Sequence, residues 1–524
     1  MPIETPAWVR DAVFYQIFPD RFASSARVVK PGPLEPWDTA PTVHGFKGGD
    51  LLGIVEHLRH LERLGVTAIY LNPIFQSASN HRYHTYDYLA VDPLLGGDAA
   101  LRELLDAAHE RGIRVVLDGV FNHASRGFWP FNHVLETGRS SPYRAWFHLN
   151  EEDLDAGRQL RAYPDETLRH ALDDPVDVDD RRPGAQSLRT LGYRAWWDLP
   201  ALPKLNTDNP HVREYLFGVA EHWLRFGIDG WRLDVPEEIE DDAFWREFRR
   251  RVKRSNPDAY IVAEIWRERP EFLQGDMYDA FMNYPLAEAI ISFAAGRHLD
   301  PRVVAQQHDL AQTIRPEDGP TFVRRLEHVL SVYDPAVTAV QLNLLGSHDT
   351  PRLLSMCGGD VASVRLATLI QMTLPGAPSI YYGDEIGLAG EQDPGCRGAF
   401  PWDEAAWDRE LFEFTAGAAA FRHAHPVLRH GSFAAVAATG GAAAYRRSGA
   451  DETVIVALNA GDEPCRLRAS LPDLAGRRLA PARWPGWPID GAMRVAAAEA
   501  VEVDPVGDLA IEIGPRQAVL LSTS

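Results

Sequence analysis

Several short stretches of this chain carry side chains able to do chemistry, and most of them contain carboxylates. Gly230-Trp-Arg-Leu-Asp234 places an arginine and an aspartate two positions apart. On a strand alternate side chains share a face, so Arg232 and Asp234 can both point at one centre. A cation there favours the ionised carboxylate that a nucleophile needs. Ala263-Glu264-Ile265-Trp266 follows about one βα unit later. Apolar flanks raise a carboxyl's pKa, so Glu264 is a candidate proton donor near pH 7. Ser347-His348-Asp349 and Asp118-Gly-Val-Phe-Asn-His123 add further carboxylates and two histidines. His81-Arg-Tyr-His-Thr-Tyr86 offers two aromatic faces, Tyr83 and Tyr86, for a sugar ring and a cationic centre. Singly, each has a plain structural alternative: an ion pair, a solvated strand end, a loop cap, a packed ring. Gathered at one place they would repel one another, a cost that points to function. A carboxylate nucleophile and a protonated carboxyl are what retaining glycoside hydrolysis requires. On that chemistry Asp234 forms a covalent glycosyl-enzyme. Glu264 protonates the departing oxygen and then deprotonates water, and Asp349 hydrogen-bonds the distorted sugar.

The elements that would bring these residues together are short. Val13–Ile17, Ala68–Leu71, Ile113–Leu117, Gly230–Leu233, Tyr260–Ala263, Leu342–Leu345 and Ser379–Tyr382 read as buried strands. Leu51–Leu64 reads as one amphipathic helix, and Leu101–Arg111 and Val212–Phe226 as others, the first two stopped by Gly65 and Gly112. Most of the candidate carboxylates fall at the carboxyl ends of strands. Alternation of strands and helices predicts a parallel sheet. About eight such units over about 400 residues predict an α/β fold of the (β/α)8 TIM barrel class. A doubly wound open sheet is the alternative, but no Gly-rich phosphate loop follows the first strand. Residues 122–193 are rich in Pro, Gly, Asp and Arg and too long for an ordinary connection. They predict a small inserted domain after the third strand, over the barrel mouth. The tail changes composition again, with apolar runs such as Thr453–Leu458 between Gly and Pro. The expected division is a barrel of residues 1–121 and 194–428, an insert of 122–193, and a C-terminal antiparallel β-sandwich of 429–524. The short run Ala496–Ala498 reads as structural.

Composition narrows the partners. The 524 residues carry 53 Lys+Arg against 74 Asp+Glu, a net charge of −21. That balance argues against nucleic acid and anionic membranes and suits a neutral substrate. Cys357, Cys396 and Cys465 are too few and too scattered for a disulfide framework or a zinc site. They read as free thiols in a reducing compartment. The first residues show no signal-peptide pattern, and no run approaches the roughly 20 apolar residues of a membrane helix. A cytoplasmic protein is expected.

These motifs, in this order, resemble the α-amylase superfamily of glycoside hydrolases, and the likeness runs over nearly the whole chain. Asp118–His123, Gly230–Asp234, Ala263-Glu264 and Ser347–Asp349 are similar to its signature segments. Leu202-Pro-Lys-Leu-Asn206, Phe281-Met-Asn-Tyr-Pro285 and Tyr381–Ile386 resemble the neopullulanase, cyclomaltodextrinase and maltogenic amylase branch. The resemblance implies catalytic Asp234, Glu264 and Asp349. It places His84, Tyr86, His123, Arg232 and His348 around the cleaved sugar, preferring Tyr86 to Tyr83, with Trp266 on the leaving-group side. It implies α-1,4 hydrolysis of maltooligosaccharides, cyclodextrins, starch or pullulan, releasing mainly maltose, with transglycosylation beside it. An α-glucosidase or glucosyltransferase acting on single glucose units is the alternative. An inactive carbohydrate-binding relative is disfavoured by the intact carboxylates. Members of that branch carry a β-domain ahead of the barrel, whereas barrel-like sequence here begins by Trp8–Tyr15, which leaves the oligomeric state open. Ala23–Lys30 lacks the cluster of about six to eight oxygens that calcium takes, so neither metal nor cofactor is expected. Val235-Pro-Glu-Glu238 departs from the branch and touches acceptor specificity.

Overall fold

The computed structural model describes residues 3–173, 184–482, 484 and 500–523. Its centre is a parallel sheet of β1 (Phe14–Ile17), β2 (Ala68–Leu71), β3 (Arg114–Gly119), β4 (Gly230–Leu233), β5 (Tyr260–Ala263), β6 (Ala280–Phe281), β7 (Leu342–Leu344) and β8 (Ala377–Tyr381). The strands lie in the order β6-β5-β4-β3-β2-β1-β8-β7. A parallel bridge between Met282 and Leu342 joins the two edges and closes the barrel. The expected (β/α)8 architecture is thus present. β6 has two residues, too few to leave an apolar run, so periodicity reveals the other strands and not this one.

Strand pleating decides what enters the barrel. Phe14, Ala68, Tyr70, Val116, Tyr260, Val262, Leu342 and Leu344 form one inner cluster. Their alternates, among them Tyr15, Ile69, Val115, Leu117, Trp231, Leu233 and Ile261, pack outward against the helices. In register, Asp118 lies beside Arg232 and Arg232 beside Val262. Arg232 therefore belongs to the inner row, and Asp234 and Glu264 continue that row past the ends of β4 and β5.

The helix expected over Leu51–Leu64 is broken into Leu51–Glu56 and Leu58–Arg63, with His57 at φ −114°, ψ 11°. Its Nδ1 donates to the Gly53 carbonyl at 2.8 Å, and its N–H turns to Ile54. A side chain takes the carbonyl that the helix would use, while the apolar spacing runs on unbroken. The insert holds the short helices Trp129–Thr137, Glu151–Asp155, Glu166–Asp173 and Ala185–Thr190. Bridges His123–Lys204, Phe147–Leu205 and Ala195–Pro203 tie the following chain to it. Pairing of the following chain with the insert thus runs on to Leu205, a contact that composition does not show. Part of the expected insert, residues 174–183, lies outside the described residues.

The tail forms a sheet in the order β9 (Ser432–Thr439), β10 (Ala442–Ser448), β11 (Thr453–Asn459), β16 (Gln517–Ser522), β13 (Arg478–Pro481) and β14 (Val501–Glu502), with β12 (Cys465–Ser470) paired to β15 (Asp508–Ile513). Val454, Val456 and Leu458 face barrel helices through Phe293, Phe322 and Ile370. Ile455 and Ala457 face Leu467, Leu509 and Ile511. A strand buried on both faces reads as a continuous apolar run, which is why Thr453–Leu458 stands out. Ala496–Ala498 lies outside the described residues. Among the described residues no helix is long and apolar enough to cross a membrane.

Candidate active site

Arg232 is fully buried at the carboxyl end of the barrel. Its Nη1 donates to both oxygens of Asp118 at 2.9 Å and to Asp234 Oδ1 at 3.1 Å. Its Nη2 lies 2.9 Å from Glu264 Oε2, an ion pair whose alignment falls short of a hydrogen bond. One guanidinium therefore holds three carboxyls. The Tyr70 and Tyr83 hydroxyls donate to Asp118 Oδ2, each at 2.8 Å, so that carboxylate is engaged on every side. Asp234 differs: its Oδ2 is buried and has no partner among the described residues. Glu264 accepts from Trp266 Nε1 and from the Val235 amide, both at 3.2 Å. Val235 is a β-branched residue at φ +36°, ψ 50°. Such a conformation costs on the order of 1–3 kcal/mol. It is the geometry that turns this N–H onto Glu264.

Asp349 sits across from this group. Gln16 Nε2 donates to His348 Nδ1 and to Asn72 Oδ1, both at 3.0 Å. That network leaves the ring proton on Nε2, which faces Asp349 Oδ2 at 3.0 Å and the Tyr83 hydroxyl at 2.7 Å. Arg397 Nη2 holds Asp349 Oδ1 at 3.2 Å. The Tyr83 and His348 rings are parallel within 5°, with centroids 5.3 Å apart.

Two expected residues are displaced from this centre. Tyr86 lies over Gly127, where a Cβ would come within 2.4 Å of its ring, and no described contact joins it to the carboxylates. His84 sets its ring edge-on to His81 at 4.9 Å, one layer out. Their places are taken by Tyr83 and by His81, whose Nδ1 accepts the Tyr83 N–H. The segment contains His-x-Tyr twice, three residues apart, so the pattern alone cannot choose between the copies. The structure does, because Tyr86 is drawn into the strand Thr85–Val91 while Tyr83 stays in the turn before it. His123 is fully buried, stacks on Trp196 (4.9 Å, 10°), and leaves Nε2 without a described partner. Trp266 stacks on Tyr284 at 3.6 Å while bonding Glu264. Tyr70, Gln16, Asn72 and Arg397 went unrecognised in the sequence. Tyr70 and Gln16 follow from the inner row of β1 and β2. Arg397 had no signal, since it arrives from a loop after β8.

Charge is concentrated here. Burial pushes Asp118 up to about 6, against the pull of Arg232. Burial also raises Asp234 well above the usual carboxylate range, and Glu264, Asp118 and Asp349 add to it while Arg232 opposes. Arg232 thus does favour an ionised Asp234, as its spacing suggested, but three carboxyls share the cation and the net shift is upward. Asp349 is raised by burial against Arg397 and Arg232. For Arg232 burial acts downward, but Asp118 and Glu264 outweigh it and hold the guanidinium charged. Burial lowers His123 to about 3 and His84 to about 4, so both rings are neutral near pH 7.

The α-amylase catalytic-domain family matches residues 16–430, most of the chain and all of this centre. The chain belongs to the α-amylase family of glycoside hydrolases. Within the family, a cyclomaltodextrinase from Bacillus sp. is 43% identical over 460 residues, 87% of this chain and 74% of that one. The native Nostoc punctiforme debranching enzyme is similar at 43% identity and TM-score 0.83, over 99% of this chain and 100% of that one. A cyclic α-maltosyl-(1→6)-maltose hydrolase from Arthrobacter globiformis is similar at 36% identity and TM-score 0.78, covering 97% and 100%. This is a glycoside hydrolase, then, and its buried carboxyls are at the barrel face where such folds carry their chemistry.

Proposed function

We propose that the protein hydrolyses α-1,4 bonds of α-glucans with retention, releasing mainly maltose, through Asp234, Glu264 and Asp349. The observation that carries this reading is Asp234 Oδ2, buried and unpartnered beside Glu264 on the same guanidinium. Arg232 fixes one oxygen of Asp234 and leaves the other to attack the anomeric carbon. Burial raises Asp118, Asp234 and Asp349 together, and a glycoside hydrolase of this kind needs one carboxyl protonated. Glu264, oriented by Trp266 and Val235, is the acid that gives its proton to the leaving oxygen. Glu264 then takes a proton from water, whose oxygen displaces Asp234. Asp349, oriented by His348 and Arg397, accepts from the sugar's hydroxyls as the ring flattens. Tyr83 offers its stacked face to the cationic centre, and the neutral Nε2 of His123 remains for a hydroxyl. The partners are α-glucans.

The cyclomaltodextrinase likeness supports maltose release from small linear and cyclic glucans. The debranching and maltosyl-(1→6)-maltose hydrolases, matched over their full lengths, favour a second reading in which α-1,6 bonds are also cut. We further infer that the barrel, the insert and the C-terminal sheet work as separate units near the boundaries expected above, and that the protein acts inside the cell, in keeping with its free cysteines.

An early time course on β-cyclodextrin, pullulan, soluble starch and maltotetraose tests this. Maltose accumulating from cyclodextrin and maltotetraose, with the α-anomer formed first, is expected. Panose from pullulan marks α-1,4 cleavage and maltotriose marks α-1,6 cleavage. Glucose as the sole early product from maltotetraose would overturn maltose release in favour of single-unit action.

A further inference from the structure

An aromatic staircase leads out of the site. His123, Trp196 and Trp197 stack in sequence, the first two at 4.9 Å and 10°, the last two at 4.8 Å and 17°. The inner ring is fully buried with Nε2 unpartnered, and Trp196 Nε1 is likewise buried without a described partner. The outer ring, Trp197, is 70% exposed. Unlike an isolated exposed ring, it continues a stack that begins at a buried site residue.

The chain works to keep it there. Trp197 (φ 50°, ψ 31°) and Asp198 (φ 55°) are consecutive non-glycine residues in the left-handed region, where a side chain clashes with its own backbone. The turn is closed by the Asp198 amide to Ala195, the Leu199 amide to Trp196 and the Trp196 amide to Leu202. The Asp198 carboxylate accepts from the amide of buried Ser187, whose hydroxyl accepts from the Ala195 amide. Two left-handed residues are thus locked by side-chain clamps, and the result is that the Trp197 ring lies flat on Trp196 with its outer face open. A pyranose presents a flat face of C–H groups edged by hydroxyls. It suits a rigid, flat, partly polar aromatic surface of this kind.

We propose that the open face of Trp197 is a sugar-binding subsite for a glucose unit of the substrate beyond the one being cleaved. Trp196 is its rigid backing, and the loop 195–202 is a specificity element that reads chain length. The inference rests on the α-glucan hydrolase reading above. It goes beyond that reading because the reacting group at Arg232 is complete without Trp197.

The test compares parent, Trp197→Ala and Trp197→Phe on maltoheptaose and on an aryl α-maltoside too short to span the site. For Trp197→Ala the ratio of kcat/KM on maltoheptaose to that on the aryl maltoside is expected to fall about tenfold, through KM. Trp197→Phe, which keeps a flat ring, should restore most of it. Thermal melting of each variant shows whether the strained turn survives. An unchanged ratio, or a Phe variant as poor as Ala, overturns the proposal. Calorimetry in a Glu264→Gln background, with maltoheptaose as the probe, separates this inference from the catalytic one. There Trp197→Ala should weaken binding about tenfold even if the parent proves to cut different bonds. Undiminished binding would overturn the subsite whatever the parent hydrolyses.

Discussion

Two sets of buried arginines divide the molecule by purpose. Arg232, in the barrel mouth, faces Asp118, Asp234 and Glu264. Arg422 and Arg447, at the seam between barrel and C-terminal sheet, meet only carbonyl oxygens. Arg422 donates to Met372, Leu374, Gly376 and Leu428, and Arg447 to Thr373, Leu428, Gly431 and Ser432. Met372, Thr373 and Leu374 end the helix Val361–Thr373, whose last carbonyls lack intrahelical donors and carry the negative end of its dipole. Carboxyls hold Arg232 firmly charged. Burial lowers Arg422 to about 9, helped by Arg447 and Arg429, and burial lowers Arg447 to about 10. The seam uses its cations to satisfy backbone that burial would otherwise orphan, and every acceptor is engaged. The mouth crowds like charges on one cation and leaves Asp234 Oδ2 without a partner among the described residues. At the seam the bonded backbone carbonyls mark structure, although the Arg422 Nε itself finds no partner among the described residues, and at the mouth a carboxylate oxygen left without a donor marks chemistry.

The sharpest way to break this contrast is to remove the deficit. Asp234→Asn and Glu264→Gln should each lower kcat on maltotetraose by about a thousandfold or more, since each deletes a group that acts only in the reaction. Both should keep the parental far-UV spectrum and a cooperative melt. Near-parental turnover in either variant would place the reacting groups elsewhere.

The opposite pattern is expected at the seam. Arg422→Met leaves the buried carbonyls of Met372, Leu374 and Gly376 without this donor, while Leu428 keeps Arg447, at about 1–3 kcal/mol for each that finds no water. A loss of about 3 kcal/mol, roughly 3 °C in Tm for a chain of this length, should come with kcat of the folded enzyme within about twofold of the parent. An unchanged Tm would show that the seam does not depend on that arginine.

The sequence exposed the mouth better than the seam, for a physical reason. Arg232, Asp234 and Glu264 lie on or just past short buried strands, and pleating fixes which of them face inward, so spacing alone aims them. The barrel itself showed through all its strands but β6, whose two residues carry no pattern. Tyr83 was hidden by the repeated His-x-Tyr, and the pairing with the insert that runs on to Leu205 rests on isolated bridges, which leave no periodicity. Arg422 and Arg447 had no signature at all. Their partners are backbone carbonyls, which every residue owns, so nothing in the order of side chains announces them. A carboxylate cluster is written in residue types, whereas a carbonyl cluster exists only once the chain is folded.

The smallest effect sharpens the comparison most, because it asks what the deficit costs. Asp234 is held above the ordinary carboxylate range by burial and by Glu264, Asp118 and Asp349. A carboxyl whose pKa is raised by folding binds its proton more tightly in the folded than in the unfolded state. Its contribution to stability is therefore favourable at low pH and declines as pH rises from the unfolded value through the folded one. In Asp234→Asn that decline is absent, while Arg232 keeps Asp118 and Glu264 as partners. The variant should melt above the parent at pH 8, by about 1 kcal/mol or roughly 1 °C, as when a strained active site is relieved. The difference should shrink steadily as pH falls toward 4. A variant less stable than the parent at pH 8 would mean that Asp234 pairs with Arg232 to net advantage. The mouth would then be as fully compensated as the seam, and the contrast between the two regions would fail.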